Sequence, residues 1–97
     1  MTVMDLVFRY LRRFFGVWNY QHGTGGTLDL SSDGPNYVHS IAVESIDEAG
    51  TVQINSDDVI NLDADGSLVL NPQGMLRNPT IAFSSAVRWT VEWIDAS

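Results

Sequence analysis

The strongest constraint on this chain is a pattern over residues 37–94, where short runs of alternating apolar and polar side chains are broken at intervals by turn-forming residues. The runs read YVHSIAVES, TVQIN, DVINLD, SLVLN, TIAFSS and VRWTVEWI. A period of two sends successive side chains to opposite faces of an extended strand. Turn signals about every 8–12 residues are the spacing of a small antiparallel sandwich or barrel. The last run is the clearest, with Val87, Trp89, Val91 and Trp93 on one face and Arg88, Thr90 and Glu92 on the other. The same reading draws Leu28, Leu30, Ile41, Val43, Val52, Ile54, Leu68, Leu70, Ile81 and Phe83 into the core. The stretches DEAG and DADG read as hairpin turns, each ending in a glycine able to take positive φ. A slip of one residue would exchange the two faces of any strand.

Upstream the texture changes twice. QHGTGGTLDLSSDGPN is rich in Gly, Ser, Asp and Pro and reads as loop, with one short strand at residues 27–31. Before it, MDLVFRYLRRFFGVWNY sets three arginines among large apolar side chains. At helical spacing Met4, Val7, Phe8, Leu11, Phe14, Phe15 and Trp18 share a broad face, and Asp5, Arg9, Arg12, Arg13 and Gly16 form a polar stripe. Thr2 and Asp5 have capping-box spacing, and Gly16 suits a helix stop. Even-numbered apolar residues also satisfy period two, but the caps favour a helix over residues 3–15 running into an extended 17–20. The expected organisation is an N-terminal apolar, basic arm or helix over residues 1–20 and an acidic all-β domain over 21–97.

Ninety-seven residues make one domain, or one domain plus an arm, a size at which a core is marginal without outside support. With no cysteine in the chain, disulfides and thiolate metal sites are excluded. Support then falls to partner subunits. The net charge of -7 is unevenly spread. Residues 1–20 carry three arginines and Asp5, a balance of +2, whereas residues 21–97 carry two arginines and eleven acids, a balance of -9. So acidic a body repels phosphate backbones, which excludes direct nucleic-acid binding. The arm is too interrupted by arginine to span a bilayer, which takes about 20 mostly uncharged residues. It also lacks the layout of a secretory signal. A basic amphipathic helix bearing Phe and Trp could lie on a membrane surface, and a packed helix accounts for the same residues.

The chemistry-bearing residues form no catalytic constellation. Asn61, Asp63 and Asp65 precede Gly66 at the spacing that begins an oxygen-lined calcium loop, but Pro72 stands where the closing acid belongs, so an Asp-Gly turn is the expected role. His22 and His39 are seventeen residues apart in sequence number and share no metal-ligand spacing. No G-x-S-x-G elbow accompanies the serines, GTGG opens no helix, and the adjacent Asp57 and Asp58 point apart on a strand. The chain is therefore read as non-enzymatic, without cofactor or metal.

A small β-sandwich with Trp18, Tyr20, Tyr37, Trp89 and Trp93 available could be a carbohydrate-binding module, although Trp89 and Trp93 alternate like core residues. The layout as a whole, FRYLRRFFGVWNY followed by the strand series and a terminal VRWTVEWIDAS, resembles small bacteriophage virion proteins of the head-decoration or head–tail connection kind. That resemblance covers architecture and no motif. It implies a structural protein of capsid or tail, assembled in the host cytoplasm, acting through repeated contacts as a homo-oligomer or with other virion proteins. The interface would be carried by Phe8, Arg9, Leu11, Arg12, Arg13, Phe14, Phe15 and Trp18, with the arginines meeting acidic surface such as that at Asp57 and Asp58.

Overall fold

A computed structural model describes residues 17–32, 35–73 and 75–95. The helix expected over residues 3–15 and the interface residues Phe8, Arg9, Leu11, Arg12, Arg13, Phe14 and Phe15 lie outside the described residues. The described chain is mainly β, and all its strand pairs are antiparallel. The strands are β1 (Val17–Asp29), β2 (Asn36–Ser45), β3 (Gly50–Ile54), β4 (Ile60–Leu62), β5 (Ser67–Leu70), β6 (Leu76–Arg77) and β7 (Thr80–Asp95). They form one sheet around β7. Along one edge of β7 runs β1; along the other, β3 pairs residues 81–83 and β2 pairs residues 87–95. Outside these, β4 pairs with β3, and β5 and β6 pair with β2.

The sheet is interrupted along a line that crosses the long strands β1 and β7 and passes the end of β2. In β1 the register shifts between Thr24 and Gly26, where Gly25 and Gly26 have φ of 65° and 82°. On β7 the break falls at residues 84–86, between the parts paired to β3 and to β2. Residues 46–49 interrupt the path from β2 to β3 at the same level, and residues 63–66 that from β4 to β5. A bulged, glycine-bearing strand bends and twists more sharply than a regular one, and here the bends line up. Their backbone groups stay bonded: Ile46 N donates to Ala86 O at 2.9 Å, Ser45 N to Gly66 O at 2.9 Å, and Thr51 N to Ser84 Oγ at 2.8 Å. At the far end Asn36 N donates to Asn78 Oδ1 at 2.6 Å, Asn78 N to Asn36 O at 2.8 Å, and Leu30 N to Pro79 O at 2.9 Å. These bonds draw the strand ends together, and the sheet becomes a nearly closed, barrel-like wrap.

Inside it lie Leu28, Leu30, Val38, Ile41, Val43, Val52, Leu62, Ile81, Phe83, Val87, Trp89 and Val91. Phe83 and Trp89 stack with centroids 4.5 Å apart and planes 4° from parallel. Of the expected core, Ile54, Leu68, Leu70 and Trp93 are half-buried at its margin. Val38 was not expected in the core, and it enters because a bulge between Val38 and Ser40 lets Val38 and Ile41 both face inward at an odd spacing.

Three expectations are corrected. Residues 21–26 are strand rather than loop, because β1 pairs continuously with β7 on both sides of its bulge. Gly23 serves close approach, since a Cβ there would meet Trp89 Cζ2 at 3.0 Å, whereas Gly25 and Gly26 take the positive φ of the bulge. DEAG and DADG are not hairpins, since β2 does not pair with β3 or β4 with β5; both stretches carry the chain across the bend. Positive φ there falls on Asp47 and Asp65 instead of on the glycines. Gly50 is needed for space, because a Cβ there would lie 2.4 Å from Val87 Cγ2.

Candidate functional site

Among residues of β2 to β6 and their loops lies an open cavity of about 500 Å³. Ile41, Ile54, Ile60, Leu70 and Leu76 supply its apolar lining, each from a different strand of the series β2 to β6. Exposed Asp57 and Asp58 border it, as does Met75 at 90 % exposure.

The loop bearing the two acids is pinned. Asn55, with φ of 55°, turns the chain out of β3; its N–H donates to Thr80 O at 2.7 Å and its Oδ1 accepts from Thr80 N at 3.0 Å. Asp57 N donates to Ile54 O at 3.1 Å, and Gln53 Nε2 to Asp57 O at 3.0 Å. Across the cavity, Gln73 N donates to His39 O at 3.3 Å and Met75 N to Pro72 O at 3.0 Å. Both walls are therefore fixed by backbone bonds, and the carboxylates extend from a held loop. Asp57 and Asp58, which the alternation placed on opposite faces of a strand, stand instead in this loop and border one cavity. The volume falls within the roughly 300–1,000 Å³ of typical ligand clefts. An apolar surface bordered by two carboxylates suits an apolar group with cations beside it. The described lining offers no serine, histidine or lysine to act as nucleophile or base.

A second surface is the outer edge of β1. Among the described residues this strand of 13 pairs only with β7. It carries no charged residue before Asp29, and Val17 and Tyr20 are 67 % and 70 % exposed. By contrast β4 and β5, at the opposite side of the sheet, have three and four residues. Short edges resist further pairing, whereas a long uncharged one is a template for another strand. Trp18 sits near the start of β1, half-buried, its ring edge-on to His39 with centroids 5.0 Å apart.

The remaining candidates are placed as follows. Asp63 and Asp65 serve the crossing at the bend: Asp63 O accepts from Gly66 N at 2.8 Å and from the Ser45 hydroxyl, and Asp65 Oδ1 accepts from Asp47 N at 3.0 Å. Asn61 is exposed on β4. Among the described residues no three His, Asp or Glu side chains gather as a metal site, and no helix is long and apolar enough to cross a membrane. Of the aromatics considered for a sugar, Trp89 is buried against Phe83, Trp93 packs at the core margin, and Tyr37 lies half-buried with the Arg77 guanidinium 5.9 Å from its ring centre. Tyr20 stacks on His22 at 6.3 Å and faces outward. By register Trp18, Tyr20 and Tyr37 lie on one face of the sheet, Trp18 and Tyr37 both opposite Ile94, whereas Trp89 and Trp93 turn to the other. The cavity could not be foreseen from sequence, because its lining comes from five strands and its acids from a loop whose turn is set by Asn55.

No family model and no curated protein matches the sequence. Two crystal structures of the capsular polysaccharide assembling protein CapF from Staphylococcus aureus are similar at TM-scores of 0.35 and 0.37, each with 15 % identity. The match covers 86 % of this chain and 24 % or 25 % of CapF, so the chain spans about a quarter of that protein's length.

Proposed function

We propose that this protein is a non-enzymatic assembly component that works by contacts between subunits, with further copies of itself or with other proteins of a particle. The observation that carries the reading is the edge of β1, a strand of 13 residues with no charge before Asp29 and no described partner on its outer side. A lone soluble β protein guards such an edge with lysine, proline, brevity or cover. Here the edge is long, and Val17 and Tyr20 stand exposed beside it. Pairing with a second strand would satisfy its backbone groups and cover those side chains.

The virion is the setting that the resemblance to small bacteriophage virion proteins suggests, a resemblance carried by an apolar, arginine-bearing N-terminal segment, read as a helix over residues 3–15, ahead of a small acidic β body. Subunit contact is favoured over sugar binding by the long uncharged edge of β1, and Trp89 and Trp93, two of the five rings considered for a sugar, are packed in or against the core. The test is to place lysine on the exposed positions Tyr20 and Gln21 of the full chain and measure its solution mass. Exposed substitutions of this kind cost roughly 0.5 kcal/mol or less of stability, so the fold survives. The native chain is expected to associate and the Tyr20→Lys/Gln21→Lys chain to dissociate. Equal masses for the two would remove the β1 edge as the contact.

A further inference from the structure

We infer that the cavity bordered by Asp57 and Asp58 receives the N-terminal segment of a second copy of this chain, its apolar face entering and its arginines meeting the two carboxylates. The inference rests on the assembly reading and names a seat within it. The occupant is identified by its chemistry. Residues 1–16 precede β1, and at helical spacing Phe8, Leu11 and Phe15 stand at i, i+3 and i+7, the anchor pattern of a helix laid in an apolar groove. Arg9, Arg12 and Arg13 fall together on one flank of that face. The cavity supplies the complement, the half-buried Ile54, Ile60, Leu70 and Leu76 over the buried Ile41, with two exposed carboxylates on a pinned loop. The segment is basic by +2 and the rest of the chain acidic by -9, so attraction over distance favours the same encounter.

The assembly reading selects a second copy as the donor. The segment leaves at β1, on one side of β7, and the cavity is lined entirely by β2 to β6 and their loops on the other. The donor and acceptor surfaces are thus different patches, which makes the contact head-to-tail and lets it propagate as a ring or a chain of subunits. Exposed ion pairs contribute little affinity and set register, so the apolar face supplies most of the binding.

The test is a charge exchange in the full-length chain, read as the dissociation constant of the assembly by sedimentation at low salt. Reversing the acids with Asp57→Arg and Asp58→Arg is expected to weaken assembly about tenfold, and reversing the segment with Arg12→Glu and Arg13→Glu to do the same. All four substitutions lie on exposed sites of the body or on the segment, and circular dichroism checks the fold of each chain. Combining them in one chain restores opposite charges and is expected to recover assembly. If either reversed pair leaves assembly unchanged, or the combined chain stays as weak as the single pairs, the seat is wrong. An assembling native chain that ignores the charge exchange would remove this seat and leave the β1 edge standing. A native chain that is a monomer would remove both.

Discussion

Trp89 on β7 donates its indole N–H to the carbonyl oxygen of Gly25 on β1 at 2.9 Å. The bond joins a buried ring to the residue at which β1 bends, where φ is 65°. Gly25 O is thereby satisfied at the bulge, and the Trp89–Phe83 stack is fixed beneath it. Trp89→Phe keeps a ring in the core and removes the donor from a buried carbonyl. The expected loss is about 1–3 kcal/mol in urea unfolding, with an unchanged denaturant slope. A variant as stable as the native chain would mean that the bulge does not need this bond.

Gly50 tests the packing at the bend. Gly50→Ala places a methyl group where Val87 Cγ2 lies 2.4 Å away, and overpacking of this sort costs about 1–3 kcal/mol. Val87→Ala alone also destabilises, by opening a cavity in the core. In the double variant the two changes are expected to offset in part, so that its loss is smaller than the sum of the single losses. Additive losses in thermal denaturation would show that the clash is relieved elsewhere.

How far the fold was legible follows from these same residues. Val87, Trp89 and Val91 obey strict alternation, so their burial in β7 was readable from sequence, and so was antiparallel β architecture. β1 was not readable over residues 21–26, because its glycines signal turns in isolation. Gly23 is required by Trp89, more than sixty residues away in the chain, and Gly25 and Gly26 by the positive φ of the bulge. Val38 was missed because one bulge at His39 changes the face of the strand, and local pattern does not announce a bulge. Asp57 and Asp58 were noticed as acids, but only the arrangement of five strands shows that they border an apolar cavity.

Asp29 closes β1 by accepting hydrogen bonds from Ser31 Oγ, from Ser31 N at 2.9 Å and from Thr80 Oγ1 at 3.2 Å. The Ser31 hydroxyl first, then the Ser31 backbone and Thr80, hold its carboxyl below the ordinary value of 3.8. A depressed folded-state pKa means that the ionised form favours the fold. Its contribution is present above the unfolded pKa and is lost as pH falls through the lower folded value. Asp29→Asn is expected to reduce the acid sensitivity of stability below about pH 4 and to leave neutral-pH dependence unchanged. A carboxyl that titrates at or above 3.8 by NMR would contradict the bonding described.

Asp65 separates a turn from a calcium loop. Its φ of 59° and its bond to Asp47 N call for a small side chain with an acceptor, which asparagine also supplies. Asp65→Asn is expected to be nearly neutral, and Asp65→Ala to cost about 1 kcal/mol through the lost bond. Chelator is expected to leave the melting temperature of the native chain unchanged. A fall of several degrees with chelator would instead show metal bound to the native state.

The most direct measurement is the mass of the full-length chain in solution, by sedimentation velocity over a range of concentrations at low and high salt. An assembly protein is expected to run above the monomer mass of 10.7 kDa, with association rising with concentration and weakened by salt. A constant 10.7 kDa under all conditions would contradict function through subunit contacts.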